Sequence, residues 1–249
     1  MRLSRLYIDQ SLAVGSTVML NQDSSHYLRH VLRLKTDAAV TLFNGRDDYE
    51  YDCLLECKGK QTIANTIAHR PVASESQLNS QIILGLGRSD HVDVSIQKCT
   101  ELGVSRITLF NAQHSQIPLK PQQAEKRLGH WRAIAIKACE QCGRHRPPVI
   151  EFFHHFDTLL KQTGGQKNKL LMAFSGSTLV ELLSRHNNQQ QVSLLIGPEG
   201  GLSADEINRA KQQGFVSATL GPRVLRTETA AMATLTIVQS IWGDFCDPA

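Results

Sequence analysis

Several features are scarce in this chain of 249 residues. Aromatic residues make up only 6% of it, so any contact with nucleic acid should depend on phosphate and shape more than on base stacking. No apolar run is long enough to cross a bilayer, and the first ten residues, MRLSRLYIDQ, lack the apolar middle region of a secretory signal. With 41% hydrophobic and 20% charged residues, the composition is that of a soluble protein with a core, and we expect a cytoplasmic one.

Two kinds of ligand-binding motif are incomplete. The chain has no GxxxxGK[ST] phosphate loop, and GLGRSD at Gly85 lacks the third glycine and the well-placed acidic residue of a dinucleotide site. This argues against a dinucleotide-dependent oxidoreductase, which is one rival class. Cys139 and Cys142 form the only CxxC pair, whereas a structural zinc site usually needs two such pairs. We therefore expect no bound metal, and the role of these two cysteines stays open.

Positive charge is concentrated in the middle of the chain. The formal net charge is +4, and residues 73–150 carry ten Lys or Arg against six Asp or Glu. The excess is greatest in KACEQCGRHR, from Lys137 to Arg146. A basic surface of this kind suits a polyanionic partner, although an ordinary solvated face has the same composition.

The first 72 residues predict a small β-rich domain. Short apolar segments alternate with turns, and Asn44-Gly45 is a hairpin signal between two of them. One helix is predicted over DSSHYLRHVLRLK, with Asp23, Ser24 or Ser25 as its N-cap. The polar residues 73–80 are interpreted as a linker, so the predicted domains are 1–72 and 81–249.

Strands and helices alternate in the rest of the chain. A helix is predicted from the N-cap Ser89 to Gly103, with Val92, Ile96 and Cys99 on one face. Further segments of the same two kinds follow, including a long helix over residues 121–142. Such alternation is typical of an α/β domain whose parallel sheet is covered by helices on both faces.

Two successive strands end in the same turn, one at Gly197-Pro198 and the other at Gly221-Pro222. Ligands of open α/β sheets bind beyond the carboxyl ends of the strands. We expect the two turns to lie side by side there and to form a binding site.

The corner GPEGG, residues 197–201, is followed by a helix start that does not depend on it, because Ser203 and Glu206 match a capping box. Three glycines and a proline predict a rigid slot lined by bare peptide groups. The carboxylate of Glu199 would lie beside it. Such a slot suits a ligand with a cation, hydroxyls, amines or an adenine edge, and a tight turn without a ligand is the alternative.

The segments LLIGPEGGLSADEI and LGPRVLRTETAAMATLTIVQ closely resemble the bacterial RsmE family, which belongs to the SPOUT class of methyltransferases. The resemblance extends to IQKCTELGVSRI, ACEQCGR and HYLRHVLRLK, in the same order along the chain. The segment GRSDH departs from the lysine-containing stretch expected there, so it is given no role. The resemblance implies methylation of N3 of a uridine in 16S ribosomal RNA.

The resemblance also implies an architecture and a cofactor. It implies a PUA-like β-barrel that helps to hold RNA, followed by a parallel α/β domain with a deep trefoil knot and a homodimer interface. The cofactor would be S-adenosylmethionine, whose sulfonium, hydroxyls and adenine edge suit the slot. The residues expected around it are Met172, Ile196, Gly197, Glu199, Gly200, Leu220, Gly221, Leu225 and Thr229.

Two residues are the candidates for catalysis. Uridine N3 becomes a nucleophile only when its proton leaves, and a cation near the uracil oxygens stabilises the anion. Arg226, just beyond the second Gly-Pro turn, is expected to do this. Glu228 would orient Arg226 or accept the proton, or it simply complements the dipole of the following helix.

The expected partner is 16S ribosomal RNA within the small ribosomal subunit. No association with a membrane is expected. Arg29 and Arg33 are four residues apart and should share one helix face. Glu140, Gln141 and Arg144 would present hydrogen bonds to the uracil edge. The residues predicted to contact RNA are Arg2, Arg5, Arg29, His30, Arg33, Glu140, Gln141, Arg144 and Arg146. For each one a solvated surface is the simpler reading, and a non-catalytic RNA-binding protein with the same fold is the alternative function.

Overall fold

A computed structural model describes residues 4–59, 61–185 and 189–246. The predicted RNA contact Arg2 lies outside the described residues. The chain divides into two compact units. The N-terminal unit comprises residues 1–75 together with 139–146, and the C-terminal unit comprises 76–138 and 147–249.

The N-terminal unit is built on a five-stranded sheet in the order β1-β3-β4-β5-β2. Strands β1 and β3 pair in parallel and the other pairs are antiparallel. Apolar residues of alternate positions, such as Leu6, Leu42 and Leu55, pack into one core. The strands are β1 (Ser4–Tyr7), β2 (Thr17–Met19), β3 (Ala39–Phe43), β4 (Tyr49–Lys58) and β5 (Gln61–Pro71).

The helix of this unit is shorter than predicted. Helix α1 spans Gln22–His26 and continues as a π-helical turn over Tyr27–Val31. Its N-cap is Asn21, whose side chain accepts the Ser24 N–H, so the three predicted caps are wrong. Arg33 lies beyond the helix with a φ of 57°, in the left-handed region. Arg29 and Arg33 therefore do not share a helix face.

The C-terminal unit contains a six-stranded sheet in the order β11-β9-β10-β6-β7-β8, and every pair in it is parallel. The predicted parallel sheet is confirmed. Strand β6 begins at Asn79, within the segment predicted to be a linker. The strands are β6 (Asn79–Gly85), β7 (Arg106–Phe110), β8 (Val149–Phe153), β9 (Lys169–Thr178), β10 (Gln191–Ile196) and β11 (Val216–Thr219).

Helices cover both faces of this sheet. Ile82 of β6 packs with Ile96 and Leu235 on one face. Ile83 packs with Phe156 and Ala210 on the other, because successive residues of a strand point to opposite faces. The helices are α2 (Ser89–Glu101), α3 (Pro121–Cys142), α4 (Phe156–Gln162), α5 (Leu179–Ser184), α6 (Ala204–Gln212) and α7 (Thr227–Trp242).

The predicted N-cap is wrong for helix α2 and confirmed for helix α6. The face of α2 that carries Val92, Ile96 and Cys99 is buried, as predicted. The N-cap of α2 is Arg88, not Ser89, and its side chain makes no capping hydrogen bond. The capping box of Ser203 and Glu206 is present at α6. None of the helices in the described part of the chain is long and apolar enough to span a membrane.

The order of the strands corrects the expectation about the two Gly-Pro turns. Strand β9 lies between β10 and β11, so the two strands that end in these turns are not neighbours. Successive strands of a parallel sheet usually lie next to each other, and here the chain departs from that rule. The two turns therefore meet across the end of an intervening strand.

Candidate functional site

A cavity of about 600 Å³ opens at the carboxyl ends of strands β10 and β11 and along the middle of β9, and both Gly-Pro turns border it. Of the nine residues expected around a cofactor, eight line it: Met172, Ile196, Gly197, Glu199, Gly200, Leu220, Gly221 and Leu225. Thr229 is exposed and is not among the lining residues. Thr227 lines the cavity instead, and its hydroxyl lies 3.5 Å from the Gly197 carbonyl oxygen. Two residues along a helix is about half a turn, so Thr229 points away when Thr227 points in.

The glycines of the GPEGG corner allow the loop to pack on itself. A Cβ on Gly197 would lie 2.9 Å from the backbone nitrogen of Leu202, and one on Gly200 would lie 2.9 Å from Cβ of His114. Gly201 has a φ of 71°, and its N–H donates to the Pro198 carbonyl at 2.8 Å. Glycine is therefore required at these positions for the fold of the loop and its packing against His114, whether or not a ligand binds.

The segment GLGRSD, an incomplete dinucleotide motif, packs against the same loop. A Cβ on Gly85 would lie 2.5 Å from Cδ of Pro198, and one on Gly87 would collide with the Glu199 carboxylate. These two glycines at the end of β6 leave room for the loop of Pro198 and Glu199. The paired glycines were the sequence signal for this contact, but their partner lies more than a hundred residues away.

A cluster of charged side chains lies behind this wall. The Glu199 carboxylate accepts the Arg88 backbone N–H at 3.2 Å, and its Oε1 lies 2.7 Å from His91 Nδ1. Burial raises the pKa of Glu199, but hydrogen bonds from its own backbone N–H, from His91 and from the Arg88 N–H outweigh that effect. The pKa of Glu199 is therefore lowered, and the loop carries a carboxylate anion.

Glu228 takes part in the same cluster. Its Oε2 lies 3.6 Å from His91 Nδ1, so this carboxylate faces helix α2 rather than Arg226. The predicted roles of Glu228, to orient Arg226 or to accept the N3 proton, stay predictions. Arg226 is the N-cap residue of α7, and its side chain is exposed and lines the cavity.

Two arginines predicted to bind RNA are structural. Arg5, with 6% of its side chain exposed, pairs with Glu50 at 2.6 Å and donates to the Cys139 carbonyl at 2.6 Å. Arg144, with 7% exposed, holds the Glu75 carboxylate through Nε at 2.9 Å and Nη2 at 2.7 Å. Their guanidinium groups are sequestered inside the N-terminal unit, so neither is presented to a phosphate.

The other predicted RNA contacts are more accessible. His30 and Arg33 are exposed, and Arg29 donates to the Gly59 carbonyl at 2.5 Å. Arg146 is exposed and pairs with Asp48 at 2.7 Å. Of the residues expected at the uracil edge, Gln141 is exposed. Glu140 accepts the Tyr7 N–H at 3.1 Å.

The two cysteines of the CxxC pair differ in their burial. Cys139 is buried, and burial raises the pKa of its thiol to about 12. Cys142 is half-buried. Among the residues that the structure describes, no group of three His, Cys, Asp or Glu side chains is arranged to hold a metal ion.

Comparison with known proteins agrees with this arrangement. Residues 74–239 match the model of an RNA methyltransferase domain, and residues 20–63 match that of an RNA methyltransferase PUA domain. The ribosomal RNA small subunit methyltransferase E of Buchnera aphidicola from Schizaphis graminum is 33% identical over 247 residues, which is 98% of each chain.

Two solved structures share the fold over nearly the whole length. A methyltransferase of Legionella pneumophila in complex with the cofactor SAM has a TM-score of 0.92, with 31% identity over 98% of this chain and 100% of that one. The ribosomal RNA small subunit methyltransferase E of Neisseria gonorrhoeae bound to S-adenosylmethionine has a TM-score of 0.88, with the same identity and coverage.

The fold and the cavity thus define an α/β RNA methyltransferase with an N-terminal PUA domain. Within that class, the chain belongs to the family of ribosomal RNA small subunit methyltransferase E, the RsmE family. The family and fold class predicted from the sequence are confirmed. The trefoil knot stays a prediction.

Proposed function

We propose that this enzyme transfers a methyl group from S-adenosylmethionine to N3 of a uridine in 16S ribosomal RNA of the small ribosomal subunit. The observation that carries the proposal is the cavity that both Gly-Pro turns border. The two relatives with bound S-adenosylmethionine support the choice of cofactor. An RNA-binding role for the N-terminal unit, a cytoplasmic location and the knot belong to the same proposal.

The lining residues fit that cofactor. Met172, Leu220 and Leu225 offer apolar walls for an adenine ring, and the peptide groups of the two turns offer donors and acceptors for hydroxyls. Glu199 is a lining residue, and its ionised carboxylate would suit a cofactor that carries a positive charge. When bound, S-adenosylmethionine supplies an electrophilic methyl group.

Arg226 is assigned the role of electrostatic stabiliser. The residue is exposed, lines the cavity and is the N-cap of helix α7. A guanidinium stays protonated at neutral pH, so it cannot accept the N3 proton, but it stabilises the negative charge that develops on the uracil oxygens. The positive end of the α7 dipole acts in the same direction.

RNA binding is assigned to basic residues of the N-terminal unit that are at least partly exposed, namely Arg29, His30, Arg33 and Arg146. Exposed aromatic surface is also present there, because Tyr49 stacks on His69 with ring centroids 4.7 Å apart.

A homodimer is part of the proposal as well. Phe174 and Val224 line the cavity with 81% and 79% exposure, and large exposed apolar side chains support an interface.

The test is methylation of small ribosomal subunits that lack the modification. The enzyme is supplied with labelled S-adenosylmethionine, and the modified nucleoside is identified by mass spectrometry after digestion of the RNA. We expect 3-methyluridine at one position. Methylation of another atom or base would contradict the proposal, and binding of RNA without binding of S-adenosylmethionine would favour the non-catalytic alternative.

A further inference from the structure

His91 lies between two carboxylates that come from different elements. Its Nδ1 is 2.7 Å from Oε1 of Glu199, in the loop after β10, and 3.6 Å from Oε2 of Glu228, in the first turn of α7. The three side chains are 20%, 21% and 13% exposed. One imidazole on helix α2 therefore connects a wall of the cavity to the helix whose N-cap is Arg226.

Carboxylates outnumber cations around His91, and the excess is larger if the imidazole is neutral. Asp90, on the same helix, adds a third carboxylate whose Oδ2 lies 3.9 Å from Nε2. The nearby cation Arg88 is directed at Asp90, with Nε 3.4 Å from its Oδ1. Oε2 of Glu228 is buried and has no hydrogen-bond partner among the described residues. Two poorly solvated carboxylates beside a neutral ring would be costly, whereas an imidazolium offsets part of that cost.

We propose that His91, in its protonated form, is a positioning residue that holds the Glu199 loop and the first turn of α7 together so that the cavity can take S-adenosylmethionine. The inference rests on the proposed function of the cavity. Because histidine changes its charge within the physiological pH range, loss of the proton should loosen both carboxylates and lower the affinity for the cofactor. This makes cofactor binding weaken as the pH rises.

Two substitutions separate charge from shape. His91→Gln keeps a hydrogen-bond donor but removes the charge, and His91→Lys supplies a cation that persists to much higher pH. His130 provides the matched control, because its Nε2 lies 2.8 Å from Asp93 in an exposed pair of the same unit. His130→Gln thus removes a histidine–carboxylate contact that does not border the cavity.

The experiment is calorimetric titration of the full-length protein with S-adenosylmethionine between pH 5.5 and 8.5. At the acidic end, His91→Gln should bind roughly tenfold more weakly than wild type, the size expected for a hydrogen bond to a charged group. The wild-type affinity should then fall with rising pH toward that of His91→Gln, whereas His91→Lys should keep the high affinity throughout. His130→Gln should follow the wild type, and any titration of the ligand itself is common to all four proteins.

Equal pH profiles for wild type and His91→Gln would overturn the inference, as would weak binding by a folded His91→Lys at every pH. Circular dichroism and thermal unfolding establish that each variant is folded. Nitrogen-15 NMR of the His91 ring is an independent measurement, because it reports the protonation state without any ligand. A neutral ring at pH 6 would also overturn the inference, whereas failure of the wild type to bind S-adenosylmethionine would count against the proposed function instead.

Discussion

The two units use cations against partly buried carboxylates in different ways. In the N-terminal unit, Arg5 and Arg144 hold Glu50 and Glu75 through guanidinium groups that stay charged at any physiological pH. In the C-terminal unit, a histidine faces Glu199 and Glu228 beside the cavity. The first arrangement is permanent and fits a structural role, whereas the second can change with pH. A count of basic residues in the sequence does not distinguish these two arrangements.

The largest effect should be the loss of stability when a buried arginine of the N-terminal unit is removed. Arg5→Ala removes a buried guanidinium from Glu50 and from the carbonyls of Cys139 and Arg144. We expect the free energy of unfolding to fall by about 3–5 kcal/mol, as for other buried ion pairs that lose one partner. Urea denaturation measures this. Arg46, whose pair with Asp9 is mostly exposed, is the control, and Arg46→Ala should cost less than about 1 kcal/mol.

The next largest effect should be on the rate of methyl transfer. Arg226→Ala should slow single-turnover methylation of small ribosomal subunits by about a hundredfold to a thousandfold, since it removes a preorganised cation from the developing anion. RNA affinity should change little, and Arg226→Lys should restore part of the rate. Arg185→Ala, which breaks an exposed pair with Glu181, is the control. A wild-type rate in Arg226→Ala would show that its assigned role is wrong.

A smaller effect on RNA affinity should come from removing accessible arginines of the N-terminal unit. Arg33→Ala and Arg146→Ala should each lower the salt dependence of RNA affinity by about one unit, if each neutralises one phosphate. Cofactor binding should not change. Filter binding across a range of salt concentrations checks this, with Arg185→Ala again as the control. An unchanged slope in both variants would mean that these arginines are only solvated.

The smallest effect concerns the pH dependence of stability. The pKa of Glu199 is lowered in the folded state, so its ionised form stabilises the protein above about pH 4.5, the ordinary value for glutamate. That contribution is lost as the pH falls through the lowered pKa. Urea denaturation should therefore show the stability of wild type approaching that of Glu199→Gln on acidification. A difference that stays constant between pH 3 and 7 would contradict this.

Much of the C-terminal unit followed from local patterns. The capping box of Ser203 and Glu206, the buried face of α2 and the alternation of strands and helices depend on residues close together in the chain. Eight of the nine expected cofactor residues line one cavity for a similar reason, since strand ends and the turns after them are visible in the sequence. Thr229 lies outside the cavity, because its orientation depends on where α7 begins.

The class of fold, the family and the turns that border the cavity could be predicted from the sequence, because each depends on periodicity, on glycine and proline, or on a continuous motif. The tertiary structure was needed to establish which strand lies between the two turns and which arginines are buried. It also brought His91 to Glu199, 108 residues away. Pairings of this kind depend on which surfaces meet when the sheet is assembled, and no local property of either residue specifies its partner.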